Sequence, residues 1–490
     1  MAQNTSTAYS KRAEEMRNAY KQKVQDSRKR YETYRDQVNR AYAEKLRGEW
    51  ESFTAGYEEE DSLKQKKELE PVVYEKQDGD RTSSEIVADE VATDFLFFFS
   101  KAEPVDDILE VKDAGDTEEY VEFTFYGTPV SIRVTKERPH LKVCSGHEVA
   151  SMWEELSGRK FNNTVFDCFQ AKKSLNLCDW AYLQLLDSLS HNVYKNDNNS
   201  ANLLIGYVYA QSGYKIKFAH NNGKLFLLYA SVAPLKRHSF IDVAGTRYYF
   251  YNAKTSVSTI IRREFPVSKA AMKNEAPVSF SIEKNQNFNF AAIDFRKIES
   301  NYSGGISASV SSNSNLISFY DSYPAFNSSE GSAYQWLYHA NTPLSERSKR
   351  ELYPSIEKFV EGKDTLTALN GILNFLQFGL TYKIDKEVWG GDRVFFAEET
   401  LYYPYCDCED RAILFSRIVR DVLHMDVVLV HYPNHLGCAV KIDKNVFIPG
   451  DYLIFENNKY LVCDPSYIGA PAGETIPTLK DAQVKIVKLR

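Results

Sequence analysis

The stretch YPYCDCEDRAILFSRIVRD, residues 403–421, sets two cysteines one residue apart among four carboxylates and then turns apolar. From Cys408 onward, Ala412, Ile413, Phe415, Ile418, Val419 and Val422 share one broad side of a 3.6-residue period, so the spacing predicts a helix opening at Cys408. A thiol at that mouth meets the positive end of the helix dipole and unpaired backbone N–H groups, both of which favour thiolate. The same N–H groups are placed to hold an oxyanion. The segment HYPNHLGCAVKI brings His435 to the start of a predicted strand 27 residues after Cys408, and KYLVCDPSYIG ends another strand at Asp464, 29 residues further on. An imidazole facing the thiol is its base, and a carboxylate facing the imidazole fixes its tautomer. Cys408, His435 and Asp464 are therefore the candidate catalytic residues.

Rival chemistries fit less well. Cys406, Cys408, His431, His435, Cys438 and Cys463 offer enough donors for a mixed zinc site. Yet Cys-x-Cys lacks the usual two-residue gap, and residues 435 and 438 face opposite sides of a strand. A Cys406–Cys408 disulfide would close a strained ring. Cys438 and Cys463 read as small buried hydrophobes, and His147, His424 and His431 as ordinary surface or strand-end histidines. Cys178 has no suitably spaced His and Asp after it. The expectation is no metal and no cofactor.

Length and composition bound the rest. At 490 residues the chain is too long for one ordinary core. A net charge of −7 gives no basic footprint, which argues against a nucleic-acid partner. No stretch approaches the length of a membrane span; FLFFF at 95–99 is a strand-length run. Seven cysteines at irregular spacing form no disulfide framework. The opening MAQNTST lacks the basic and apolar regions of a signal peptide and also fits a mature terminus whose leader has been removed.

The pattern reads as α+β in four zones. Residues 1–57 form a long amphipathic, charged helix with a narrow seam (Met16, Tyr20, Val24, Tyr31, Tyr34, Val38, Tyr42, Leu46, Trp50, Phe53), either docking a protein partner or lying across its own globular part. Residues 58–85 are a charged linker. Residues 86–330 mix both periods as an α+β domain, with EYVEFTFYGTPVSIRV a hairpin, GTRYYFYNA a strand and VSFSIEKNQNFNFAAIDF further strands. Residues 331–490 start in helices and end in strands.

The set CEDRA (Cys408, Asp410, Ala412), NHLGCAV (His435) and VCDPS (Asp464) resembles the transglutaminase-like superfamily of papain-type cysteine enzymes, in chain order and in spacing. With the lead-in NGILNFLQFGLTYKIDKEVWGGDRVFFAEETLYYPY, the likeness covers roughly 340–480. The resemblance implies a papain-like C-terminal domain and thiol-dependent acyl transfer on a protein or peptide amide: hydrolysis, deamidation or crosslinking. Two departures stand out: a second thiol at Cys406, and Leu436, Gly437 and Cys438 where relatives often carry an aromatic residue after the histidine. Asp410 is expected to cap the helix or pair with Arg411 or Arg417, and Gln377, Tyr382 and Tyr405 are candidates for the second oxyanion donor.

The segment NLLIGYVYAQSGYKIKFAHNNGKLFLLYAS repeats the helix, turn, strand, strand rhythm of the catalytic region. It holds NDNNS at the helix mouth, with His220 where the later copy has His431, and so reads as a degenerate transglutaminase-like fold that has lost its nucleophile. The zone arrangement also resembles exported proteins of Bacteroidetes-type bacteria, implying a periplasmic or cell-surface place if a leader was removed and a cytoplasmic one otherwise. The alternative to an enzyme is a catalytically silent scaffold acting through its N-terminal helix and middle domain.

Overall fold

The computed structural model describes residues 2–57, 70–76, 83–90, 102–105, 108–111, 117–251, 260–291, 295–326, 333–443 and 445–490. The 95–99 run and most of the linker lie outside them. Helices and strands occur in separate blocks, an α+β arrangement.

Helix α1 spans Ala2–Arg47. Its apolar seam divides: Met16 and Tyr20 are exposed, whereas Tyr42, Ala43 and Leu46 are buried. Tyr42 stacks at 4.2 Å on Trp153 of α2 (Gly146–Leu156), and Trp153 Nε1 donates to Asn39 Oδ1 at 3.1 Å. The helix does not run to residue 57. Gly48 closes its last turn, and Trp50 Nε1 folds back onto the Leu46 carbonyl at 2.8 Å, satisfying one of the acceptors a helix end leaves open. Beyond it, Glu51–Thr54 (β1) and Gly56–Tyr57 (β2) are strands.

Two more short strands follow, β3 (Glu85–Ile86) and β4 (Ala88–Glu90), and then the hairpin β5 (Glu118–Phe125) and β6 (Thr128–Thr135). After α2 come α3 (Asn162–Ser174), α4 (Asp179–Tyr194) and α5 (Asn198–Gln211). Strands β7 (Ile216–Asn221), β8 (Lys224–Ala230), β9 (Ser239–Val243), β10 (Thr246–Phe250) and β11 (Glu264–Val267) complete the first half. The second half opens with β12 (Arg296–Glu299) paired to β13 (Ser307–Val310). Four main helices follow, Ser314–Asp321, Ala333–Asn341, Glu346–Val360 and Thr365–Gly379. Then β14 (Thr381–Tyr382) pairs with β15 (Tyr405–Cys406), and the helix Cys408–Ile418 begins. Strands β16 (Val427–Tyr432), β17 (His435–Ile442), β18 (Tyr452–Phe455), β19 (Asn458–Cys463) and β20 (Val484–Lys488) finish the chain.

The two large sheets have one topology. The first runs β11-β7-β8-β10-β9 and the second β20-β16-β17-β19-β18, each built from a hairpin that follows a buried helix, α5 or Cys408–Ile418. Each sheet is closed by an N-terminal segment. β1 pairs with β11 and β2 with β9, with only buried Ala55 between them. In the same way β3 pairs with β18 and β4 with β20, with Val87 between. Closure removes the exposed edges that an open sheet would present. The closing strand runs antiparallel to its partners in the first barrel and parallel in the second.

This pairing corrects the zone boundaries read from sequence. Residues 51–57 belong to the first barrel, and 85–90 belong to the C-terminal one. Linker residues within the described part dock there too, with Tyr74 N donating to the Ile468 carbonyl at 2.8 Å. Among the described residues one continuous apolar cluster runs from Tyr42 through both halves to Leu489.

Residues 276–291 form no ladder strand. Val278, Phe280 and Ile282 alternate into the core, which is what the sequence pattern registers, but Val278 N bonds Ala230 O while Ser279 N bonds the Asp179 carboxylate.

Candidate active site

The predicted helix begins where the sequence placed it, at Cys408. Asp407 is its N-cap, accepting from Glu409 N at 3.0 Å and Asp410 N at 3.3 Å, while Asp410 accepts from Asp407 N at 3.1 Å and Phe395 N at 2.8 Å. Asp410 therefore caps, as one of its two expected roles had it. It pairs with neither arginine: Arg417 bonds Asp421, and Arg411 turns elsewhere. Burial, then Asp407 and Asp385, push the Asp410 carboxyl well above the usual range. The cap also changes the expected oxyanion site, because two of the helix-mouth N–H groups already serve the Asp407 carboxylate.

His435 is the first residue of β17 and Asp464 follows directly on β19. Their side chains meet: His435 Nε2 and Asp464 Oδ2 stand 2.7 Å apart. Asp464 Oδ1 is held by Ser466 N at 2.8 Å and Tyr467 N at 3.2 Å, so the carboxylate is an acceptor and Nε2 the donor. That tautomer leaves Nδ1 with a free lone pair, and His435 Nδ1 has no hydrogen-bond partner. A buried nitrogen acceptor without a partner is uncommon and marks a position reserved for another donor. The Cys408 helix packs on this strand, with Cys438 Sγ donating to the Ala412 carbonyl at 3.2 Å one turn into the helix. All three candidate residues are buried: Cys408 is 3 %, His435 3 % and Asp464 5 % exposed.

Two residues that the sequence did not single out for this role fix the Asp464 loop. Gln377 Nε2 donates to the carbonyls of Asp464, Tyr467 and Ala470 at 3.1, 2.8 and 3.0 Å, and its Oε1 accepts from Gly469 N at 3.1 Å. Its amide is thus consumed and is not an oxyanion donor. Arg411, wholly buried, donates to Leu380 O at 2.7 Å and Pro465 O at 3.3 Å, and lies 5.2 Å over the Tyr382 ring. Tyr405 is half-buried beneath the Lys383 ammonium at 4.3 Å. No pattern of periodicity distinguishes an arginine that ties loops from one that faces water, so the sequence offers Arg411 only as an ion-pair partner of Asp410.

Cys406 faces inward from β15, 2 % exposed, with Sγ 3.8 Å from the Thr381 carbonyl. Burial pushes its thiol up and the Arg411 guanidinium draws it partly back. None of the seven cysteines forms a disulfide. Cys438 and Cys463 sit opposite each other on β17 and β19 and are both fully buried; burial raises both thiols, with the neighbouring Cys463 adding to the rise at Cys438. Among the described residues no cluster of His, Cys, Asp or Glu is arranged for a metal. Among them, too, no helix is long and apolar enough to cross a membrane.

The first barrel gives the matching positions. Asn198 is the first residue of α5 behind an Asp197 cap, as Cys408 is behind Asp407. Lys224 closes the β7–β8 hairpin against Asn221 as His435 closes β16–β17 against Tyr432. By ladder register Tyr251, whose N–H donates to Leu227 O at 2.9 Å, matches Cys463 opposite Cys438, and the position matching Asp464 is residue 252, outside the described residues. His220 and His431 share a register, each one residue before its strand end. His431 packs on Trp336 at 4.8 Å. Comparison with protein-family models, curated proteins and solved structures returns no match to this chain.

Proposed function

We propose that this chain is a transglutaminase-like, papain-type cysteine enzyme whose second barrel carries out acyl transfer or hydrolysis on protein or peptide amides. The observation that carries the reading is His435, donating through Nε2 to Asp464 while Nδ1 stays unbonded in a buried setting. In the reaction Nδ1 takes the Cys408 thiol proton and the thiolate adds to the amide carbonyl carbon. The imidazolium returns that proton to the leaving nitrogen as the C–N bond breaks, giving a thioester. Water or a primary amine, deprotonated by the same imidazole, then releases the acyl group. Asp464 holds the tautomer and stabilises the imidazolium. The first barrel, with Asn198 and Lys224 in the thiol and histidine positions, is on this reading a copy of the same fold without its chemistry.

Five of the seven free thiols are buried, which fits an exported protein working in an oxidising periplasm or at the cell surface. Exposed Met16 and Tyr20 on α1 fit a helix that docks a protein partner. Iodoacetamide labelling of Cys408 across pH, read by peptide mass spectrometry, tests the enzyme reading. The expected result is alkylation with a midpoint well below about 8.5 that moves up in His435→Ala. A Cys408 that stays unlabelled in the folded protein at every pH overturns it. One observation favours the second reading, a catalytically silent scaffold: the triad is 95 % or more buried, so a substrate reaches it only after the site opens.

A further inference from the structure

Cys406 is a thiol that the proposed reaction does not use. It lies on β15 beside Tyr382 of β14, two residues before Cys408, and is 2 % exposed. Two guanidiniums stand around it. Arg411 lies 5.2 Å over the Tyr382 ring, and its Nη atoms donate to the Leu380 and Pro465 carbonyls at 2.7 and 3.3 Å. Arg296 donates to carbonyls just ahead of Cys406: Thr400 at 3.0 Å, Tyr403, and Pro404 at 3.4 Å. Burial raises the Cys406 thiol, and Arg411 first and Arg296 second pull it back.

Among the described residues neither arginine has a carboxylate partner. Arg411 is wholly buried, and its Nε–H has no hydrogen-bond partner. A buried charge is ordinarily paired, and a buried N–H left open bears the full desolvation of that group. Cys463 on β19 gives the contrast. It is wholly buried too, but burial and Asp464 raise its thiol and no cation opposes them. What Arg411 lacks is an acceptor at the Cys406 sulfur. A thiol is a weak acceptor, whereas an oxygen bonded to that sulfur is a full one.

We propose that Cys406 is a site of oxidation by hydrogen peroxide, its sulfenic oxygen being received by Arg411 Nε. The sulfur attacks one peroxide oxygen. An S–O bond forms and the O–O bond breaks, sulfur gives up two electrons, and the departing hydroxide takes the thiol proton and leaves as water. Arg411 also holds Pro465, next to Asp464, so the modified residue is tied to the loop that orients the imidazole.

The assignment does not require Cys408 to be active. The test uses the full chain with Cys408→Ser, which leaves Cys406 the one thiol of its tryptic peptide and separates the outcome from the enzyme reading. After timed exposure to hydrogen peroxide, catalase is added and the protein is denatured in dimedone, so that burial does not limit labelling. Peptide mass spectrometry then counts the dimedone adduct and any sulfinate at each cysteine. Cys406 is expected to oxidise about tenfold faster than Cys463, and Arg411→Lys, which keeps a cation and removes Nε–H, to slow it about fivefold. Arg296→Gln, at a half-buried position, is expected to slow it about threefold, which keeps the test decisive where circular dichroism shows that Arg411→Lys does not fold. Oxidation of Cys406 no faster than that of Cys463, or a rate unchanged in Arg296→Gln or in folded Arg411→Lys, overturns the proposal.

Discussion

The two barrels share strand order, hairpin register and an aspartate cap on the buried helix, and differ at the residue directly after that cap. In the second, Asp407 is followed by a thiol, and the histidine–aspartate pair sits buried with one nitrogen unmatched. In the first, Asp197 is followed by an amide, the histidine place holds a lysine, and the same location is an open cavity. Burial and access differ between matching ends of two sheets of one topology. A low-dielectric site strengthens a polar contact such as His435–Asp464, and an open cavity gives no such gain.

That comparison breaks first if the second barrel is inert. With an amide substrate that Cys408 turns over, His435→Ala is expected to lower kcat by about 10³-fold or more, and Asp464→Asn by about 10²–10⁴-fold, read in a steady-state assay. In the same assay Lys224→Ala changes kcat less than twofold; a loss as large as that of His435→Ala would show that the two sheet ends are not separate. Next comes packing. Gly206 lies mid-helix in α5 with a Cβ position only 2.4 Å from the Phe218 ring, so the helix sits closer to β7 than any side chain allows. Gly206→Leu is expected to cost about 1–3 kcal/mol in urea unfolding, with the loss registered by Trp153 and Trp180 of the first barrel.

The smallest effect tests the seam between the halves. His339 stacks on Phe396 at 3.7 Å, and Phe396 stacks on Tyr320 at 4.2 Å. Burial pushes the His339 imidazole from its ordinary 6.5 down to about 3. The unfolded chain therefore takes up a proton that the folded one refuses, so this contribution is complete above pH 6.5 and lost as pH falls toward 3. At pH 5 the loss is about 2 kcal/mol, and His339→Phe should remove it when urea midpoints at pH 7 and pH 5 are compared.

The local parts of this molecule were legible in its sequence. The Cys408 helix, the His435 strand and the strand before Asp464 each follow from a short periodic run, and the first barrel's helix–strand–strand rhythm was visible for the same reason. The non-local parts escaped. Residues 51–57 and 85–90 are too short and polar to carry a strand signal, and their partners lie hundreds of positions away. The alternation in 278–282 reports which side chains are buried, not whether the backbone finds a ladder. Gln377 and Arg411 were missed as loop ties because their partners are carbonyls, which no side-chain pattern records.

The closing strands also set an order of assembly. β4 is made long before its partner β20, Ala88 pairing with Val484. Until β18 and β20 are made, the residues around 85–90 have nowhere to pair. The first barrel, whose last strand is complete at Val267, has no such wait. A chain stopped between residues 267 and 484 would hold every strand of the first sheet and lack a strand of the second.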